Sequence, residues 1–445
     1  MAFLTVSRER GETIMTLHRR TFVRSIAAGG LSLTVAGLAG ANDDAVFLAT
    51  ADEDVRRRIE DAGFTVRREL ATGSVYVVVG PADRRDELAA IDGVDEVARD
   101  VRFELEEPER IEEADSTTDE ELYSLQWDKQ NTNAAEAHET ATGEGTRLAI
   151  IDTGIYHDHP DLQPNVIPEE GRLFKYGEVS EDTTDVYGHG THVAGIAAAA
   201  DEGRTGVVGT APDAELVSLR VFYHDDDGVL TTTTADILSA IDYAASLDAD
   251  AANLSIGTPP LPPETNASGV KMAYQRVAQD AVRRGTLVVV SAGNSDANLQ
   301  QGGYFTVPNS AAGAMSVSAT GPNDERVFYS NYGTNEIDVG APGGGYETLE
   351  KTLSEETEWP YPTNLVLSSV PPELFGGDNY AYFAGTSMAA PQVTGLAGLI
   401  RSADPSLNAN QVERAIKAGA DGVQGKGDED VGAGRINAAD SLGEL

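Results

Sequence analysis

Cysteine is absent from this chain of 445 residues. Its absence excludes disulfide cross-links, a thiolate nucleophile and any Cys-ligated metal site. Lysine is scarce too, confined to Lys129, Lys175, Lys271, Lys351, Lys417 and Lys426. Positive charge as a whole is in deficit, with 32 Lys and Arg against 73 Asp and Glu and a formal net charge of −41. A surface of that sign repels phosphate backbones and anionic headgroups, which argues against nucleic acid or an anionic membrane as the main partner. The apolar run from Ile26 to Leu38 is too short and glycine-rich for a comfortable membrane span, so no stable membrane anchor is expected.

What is present is a chain long enough for two or three domains with a buried core. The acidic residues are interleaved with Val, Ile, Leu and Ala, the pattern of a folded chain with an acidic surface. Many acids with few lysines is the balance of a protein adapted to very high salt, where the screening length falls to roughly 3 Å at 1 M and self-repulsion is suppressed. An ordinary acidic secreted protein is the plainer alternative.

Residues 1–41 read as an export signal. Arg19-Arg20-Thr21-Phe22-Val23 forms a twin-arginine core, the apolar run follows, and Ala39-Gly40-Ala41 is a small-residue cleavage pattern. Secretion by the twin-arginine route is expected, with Met15 as an alternative start. Residues 42–104 read as a small α+β unit in the order β-α-β-β-α-β, the ferredoxin-like split unit, with strands around Phe47, Val66, Val77 and Val97 and helices around Ile59 and Leu88. Residues 105–120 are dense in Glu and Asp without apolar period, a solvated linker. From 121 to 445, short apolar strands alternate with helical patterns. That predicts an α/β fold with a doubly wound, mostly parallel sheet, whose ligands sit at the carboxyl ends of strands.

The chemistry-bearing stretches fall at those ends. Asp152 closes the apolar strand Arg147–Ile151, where a half-buried carboxylate needs a partner. Gly188-His189-Gly190-Thr191-His192 opens a small-residue helix, with His189 at the mouth and His192 packed beneath it. Two histidines at that spacing without a third ligand argue against a zinc site. Gly385-Thr386-Ser387-Met388 places a serine in the first turn of a helix, where unpaired N–H groups favour an oxyanion. Pro391 is read as belonging to that first turn. Ser291-Ala292-Gly293-Asn294 ends another apolar strand. Each stretch has a bland reading, namely a turn carboxylate, a core histidine, an N-cap serine and a turn asparagine.

Taken together, in the order Asp, His, Ser, these motifs resemble the subtilisin-like serine proteases (subtilases, peptidase family S8) over roughly residues 121–445. With the acidic balance, the chain resembles the halolysin-type precursors of haloarchaea. The resemblance implies that Ser387 is the nucleophile, His189 the general base, Asp152 its orienting carboxylate and Asn294 the side-chain donor of the oxyanion hole. It implies that peptide substrates add as a strand to Ser255-Ile256-Gly257. Ala292-Gly293 would form the other S1 wall and 230–232 the opposite edge. Small apolar walls lead to an expectation of large apolar or aromatic P1 residues and broad specificity. Asp225-Asp226-Asp227 beside that edge is read as hydrated surface, with attraction of basic groups nearby as the alternative. Asp161 matches a structural calcium ligand, with the partner loop 200–205 departing from the family pattern, and His157-Asp158-His159 is read as a polar turn. The small unit resembles the family's propeptide, a chaperone and inhibitor released by self-cleavage near the acidic linker to leave a monomer. Residues 258–268 and 344–364 look like surface-loop insertions, and Asn266-Ala267-Ser268 is a weak glycosylation pattern. The rival functions are an acyl-transferring or peptide-ligating relative on the same triad, and a non-enzymatic binding protein.

Overall fold

The structure, a computed structural model, describes residues 31–38, 44–105, 122–201, 206–261, 267–301, 305–422 and 428–445. The twin-arginine core, the 39–41 cleavage pattern, the acidic linker after Leu105, the loop 202–205 and Asn266 lie outside the described residues. Among the described residues no helix is long and apolar enough to cross a membrane.

The first element among the described residues is strand β1 (Leu31–Leu38), a segment the sequence reading gives to the export signal. A small unit follows: β2 (Asp44–Ala51), α1 (Arg56–Asp61), β3 (Thr65–Leu70), β4 (Val75–Pro81), α2 (Arg85–Ala89), β5 (Val94–Arg99) and then β6 (Val101–Leu105). Its antiparallel sheet has the order β3-β4-β2-β5. The side-chain period of two sorts each strand between two cores. Phe47, Ala49, Tyr76 and Val78 pack under the helices with Ile59 and Leu88. Leu48, Val75 and Val77 face the opposite way, into a core shared with the larger unit. The small sheet is therefore buried on both faces only while seated.

The larger unit opens with α3 (Trp127–Asn131) and α4 (Ala134–His138). It continues through β7 (Arg147–Asp152), β8 (Arg172–Lys175), β9 (Glu178–Ser180), α5 (His189–Ala198), β10 (Glu215–Arg220), β11 (Tyr223–His224), β12 (Leu230–Thr233) and α6 (Thr234–Ser246). Then come β13 (Ala251–Leu254), β14 (Ile256–Gly257), α7 (Ala267–Arg284), β15 (Leu287–Ser291), β16 (Ala314–Thr320), β17 (Val339–Pro342), α8 (Leu349–Thr352) and the hairpin β18 (Val366–Ser369) with β19 (Tyr380–Phe383). The chain closes with α9 (Thr386–Ala403), α10 (Ala409–Ala418), β20 (Asp421–Gly422), β21 (Gly434–Arg435) and α11 (Ala438–Gly443).

The main sheet has ten strands in the order β20-β21-β17-β16-β15-β13-β7-β10-β8-β9. It is parallel from β21 to β8 and antiparallel only at its two edges. Helices cover both faces, and the strands sort their residues accordingly. Leu148 and Ile150 of β7 join a core with Val193 of α5 and Leu396 of α9. Ala149 and Ile151 join the core that contains Ile237 of α6 and Val277 of α7. Because these strands run parallel, Asp152, Ser255 and Asn294 all emerge at one edge of the sheet, after β7, β13 and β15.

A second sheet, β11-β12-β6-β1-β14, bridges the two units. Strand β6 runs antiparallel to β12, with Thr232 opposite Phe103. Strand β1 lies between β6 and β14 and pairs in parallel with Ile256 and Gly257. The two edges expected to bind peptide are thus taken by segments from the start of the same chain.

Two surface expectations are corrected. The Asp225 side chain is not hydrated surface, since it is covered in an ion pair with Arg102 beside β6, whereas Asp226 and Asp227 are exposed as expected. The 344–364 insertion is not a plain surface loop either. Tyr346, Thr352 and Asn364 are buried, and Asn364 Nδ2 donates to the Thr352 carbonyl at 2.8 Å. The sequence reading also does not anticipate the β18–β19 hairpin, because its strands are too short to show a period.

The seam between the units is polar at its margins. Arg276 reaches Asp52 and Asp95, each at 2.9 Å, and the Ala71 N–H donates to Asp242 at 2.9 Å. Asp100, fully buried, accepts from the Ala235 N–H in the first turn of α6 at 3.0 Å. Burial first, and then the neighbouring Asp236 carboxylate, push the Asp100 acid up to about 8. The seated unit thus retains a proton that an unseated carboxyl, with an ordinary value of 3.8, gives up. The seated state binds more protons across that window, so its stability falls as pH rises through it and levels off above about 8. Asp100→Asn keeps the acceptor and removes the titration. The intact variant is expected to lose part of the decline in melting temperature between pH 5 and 8 that the parent shows; identical profiles would refute this assignment.

Candidate active site

Asp152 ends β7 and is 1% exposed; His189 opens α5 and is 0% exposed, so their interaction is screened from water. The His189 Nδ1–H donates to Asp152 Oδ1 at 2.8 Å. The same oxygen accepts from the Thr153 N–H at 2.7 Å. Charge-assisted bonds of this length in a dry site hold the imidazole in one tautomer, with Nε2 as its free acceptor. Nε2 is buried and has no hydrogen-bond partner among the described residues.

The helix start that carries His189 is fixed by a residue the sequence reading missed. The Asp185 carboxylate accepts from the N–H groups of Tyr187, Gly188 and Thr191 and from the hydroxyls of Thr153 and Thr191, at 2.5–2.9 Å. It supplies the acceptor and the negative charge that a helix N-terminus favours. Gly188 has φ +102, and a Cβ there would lie 2.4 Å from the Phe375 ring. At Gly190 a Cβ would lie 2.1 Å from the Gly154 carbonyl, so only glycine lets α5 approach the end of β7 this closely. The signal for Asp185 was present as an Asp just ahead of a predicted helix start.

Ser387 is the second residue of α9, not its cap, and is 2% exposed. Its hydroxyl donates to the Ser255 carbonyl at 3.1 Å. Asn294 sits beside it. The Asn294 Oδ1 accepts from the Thr386 N–H at 2.9 Å and from the Thr386 hydroxyl at 2.8 Å. Those two donors fix which end of the amide is oxygen and leave Nδ2 as the donor that faces the site. A cavity beside Ser387 is bounded by Gly257, Thr258, Ser291, Gly293, Asn294 and Thr386, among others.

Of the residues expected at the pocket, Gly257 and Gly293 line this cavity; Ser255, Ile256 and Ala292 are buried, with β1 paired along Ile256. The walls are small, as expected, and bear hydroxyls rather than being apolar. Pro391 is also displaced from its expected place: with α9 starting at Thr386 it falls in the second turn.

His192 and His159 are structural. His192 is buried, its Nε2 lies 3.0 Å from the Ala381 carbonyl, and its ring stacks on Phe383 at 4.2 Å. Burial lowers it to about 3, so it stays neutral. His159 packs edge-on against Tyr380 and contacts the Asn379 carbonyl at 2.9 Å, with burial lowering it to about 4. Asp161 is buried. Its carboxylate accepts from the Val207 N–H at 3.1 Å and bonds the Tyr380 hydroxyl. Among the described residues no three His, Asp or Glu side chains converge as metal ligands. Most of the loop expected to complete a calcium site with Asp161, residues 202–205, lies outside the described residues.

The structure thus joins Asp152 to His189 and sets Asn294 beside Ser387, while among the described residues no hydrogen bond links His189 Nε2 to Ser387, whose hydroxyl is held by the Ser255 carbonyl. The family model described as "Subtilase family" matches residues 143–434. Thermitase of Thermoactinomyces vulgaris is 34% identical over 321 residues, 71% of this chain and 95% of that protein. Subtilisin BL of Lederbergia lenta is 34% identical over 295 residues, 66% of this chain and 90% of that protein. Among solved structures, a protease from Pseudoalteromonas arctica is 30% identical with a TM-score of 0.58, covering 74% of this chain and 99% of that one. The epidermin leader peptide processing serine protease of Staphylococcus aureus, at 21% identity, shares the fold over 90% of this chain and 98% of its own, with a TM-score of 0.71.

If Asp185 clamps the His189 helix start, Asp185→Ala orphans three backbone N–H groups. The expected cost is about 3 kcal/mol of stability. Denaturant unfolding reads it, and a loss below about 1 kcal/mol would rule out the clamp.

Proposed function

The chain belongs to the subtilase family of serine proteases, and from that premise we propose that it is a secreted endopeptidase made as a self-inhibited precursor. The observation that carries the reading is the buried Asp152–His189 hydrogen bond, which leaves the second imidazole nitrogen partnerless. In the reaction the Ser387 hydroxyl leaves the Ser255 carbonyl and gives its proton to His189 Nε2 as its oxygen attacks the scissile carbonyl. Asp152 stabilises the imidazolium that forms. The Asn294 amide and the Ser387 N–H donate to the oxyanion. His189 then protonates the leaving amine, and water resolves the acyl-enzyme by the same route in reverse. Subtilisin is a worked reference for this chemistry, and the magnitudes used below are taken from such systems.

The precursor reading is supported by the occupation of the β12 edge by β6; β1, on the β14 edge, belongs to the segment proposed as signal. A chain blocked along β12 cannot admit a peptide there until β6 leaves. The βαββαβ order and two-faced burial of the small sheet support a ferredoxin-like propeptide that folds against the catalytic unit and inhibits it. Within the proposal, residues 1–41 are a twin-arginine signal, 42–104 the propeptide, 105–120 the cleaved linker and 121–445 the catalytic unit, monomeric once mature. The charge of −41 supports adaptation to high salt. No step depends on a metal ion.

Ser387→Ala, produced in molar salt with no other protease present, is expected to keep its N-terminal segment while the parent loses residues up to about the acidic linker. Equal processing of both would overturn self-cleavage. Asn294→Ala is expected to lower kcat about 10²–10³-fold with KM little changed. Activity of the mature enzyme that survives dilution into fresh-water conditions would overturn the salt adaptation.

A further inference from the structure

The helix that carries Ser387 has a gap in its hydrogen-bond ladder. In an α-helix each N–H bonds the carbonyl four residues back, so residue 391 should serve the carbonyl of Ser387. Pro391 has no N–H, and its ring crowds that carbonyl. The Ser387 carbonyl is nonetheless satisfied. It accepts from the Ser255 hydroxyl at 2.7 Å. The Ser255 Oγ in turn accepts from Asn253 Nδ2 at 2.9 Å. The Asn253 Oδ1 accepts from the Thr394 hydroxyl at 3.0 Å. That hydroxyl also lies 3.2 Å from the Ala390 carbonyl, but it has one proton to give, and the Asn253 contact is the shorter.

All three relay side chains are fully buried: Asn253 is 0% exposed, Ser255 0% and Thr394 0%. The circuit leaves α9 at Thr394, crosses to β13 at Asn253, steps to Ser255 at the β13–β14 junction and returns to α9 at Ser387. Ser255 is engaged twice, because its carbonyl also holds the Ser387 hydroxyl. The proline breaks the local bond, and a tertiary relay replaces it with one that ties the helix start to the sheet.

We propose that Thr394, Asn253 and the Ser255 side chain are positioning residues that set the main chain of Ser387, and so the aim of its hydroxyl, in place of the helix bond that Pro391 cannot make. This rests on the reading of Ser387 as the nucleophile. None of the three side chains need touch substrate. Their effect is on kcat, because a nucleophile displaced by a fraction of an ångström binds substrate as before but attacks it poorly.

The test compares parent, Ser255→Ala, Thr394→Val, Thr394→Ser and the double variant Ser255→Ala/Pro391→Ala. Maturation is completed by tagged parent enzyme that is then removed. The readouts are kcat, KM and the rate at which Ser387 is labelled by a neutral alkyl fluorophosphonate; the final labelled amount counts folded sites. Ser255→Ala and Thr394→Val are expected to lower kcat and the labelling rate together by about 10- to 100-fold, with KM within about threefold. Thr394→Ser, which keeps the hydroxyl, is expected to stay within about threefold of the parent. Restoring an N–H at 391 lets the helix serve the Ser387 carbonyl again, so the double variant is expected to recover at least about fivefold over Ser255→Ala.

Unchanged labelling in Ser255→Ala, equal losses in Thr394→Val and Thr394→Ser, or a double variant slower than Ser255→Ala would each overturn the relay. If Ser255→Ala yields no folded sites, the valine and serine pair at 394 decides. A parent that neither labels at Ser387 nor hydrolyses peptides sinks the protease reading and the relay with it; an active parent with unaffected variants sinks the relay alone.

Discussion

The hydrogen bond between His189 and Asp152 is the interaction on which the rest of this structure is arranged. A carboxylate and an imidazole form such a bond usefully only where water cannot compete for either. The sheet supplies the dry end of β7, and Asp185 pins the start of α5 against it. Gly190 permits an approach that any side chain would block. The small residues along α5 and α9 serve the same end, since they let two buried helices lie close to the strands whose ends carry the reacting groups.

A second constraint acts on the start of the chain. Strands β2 and β4 are apolar on both faces, and a four-stranded sheet with two short helices can cover only one of them. Its second face is buried against α6 and α7, and its margins are held by Arg276, Asp242 and Asp100. The same docking lays β6 along β12. Packing of the small unit and blocking of that edge are therefore one event.

With no disulfides, the larger unit is tied together by buried polar relays as well as by apolar packing. Lys129 is fully buried and joins the Ile196 carbonyl, Thr210, Gln392 and Asp128. Burial lowers it to about 8, with Asp128 opposing the shift. Since one of the few lysines is used inside, the surface is poorer still in lysine than composition implies. The relay from Thr394 to Ser387 is of the same kind, a set of groups each stabilising only because every neighbour is satisfied.

The sequence by itself determined the α/β class, the strand-end placement of Asp152 and Asn294, and the helix-start placement of His189 and Ser387. These follow from periodicity and from short local motifs, and both are properties of neighbouring residues. Tertiary structure alone decided what those residues meet. Thr386, Asn253 and Thr394 act through partners far away in the chain, so no window of sequence displays them. Pro391 shows the division most clearly: its residue type announces a missing N–H, but only the fold supplies Ser255 as the donor that replaces it, because hydrogen-bond satisfaction is settled by proximity in space and not along the chain.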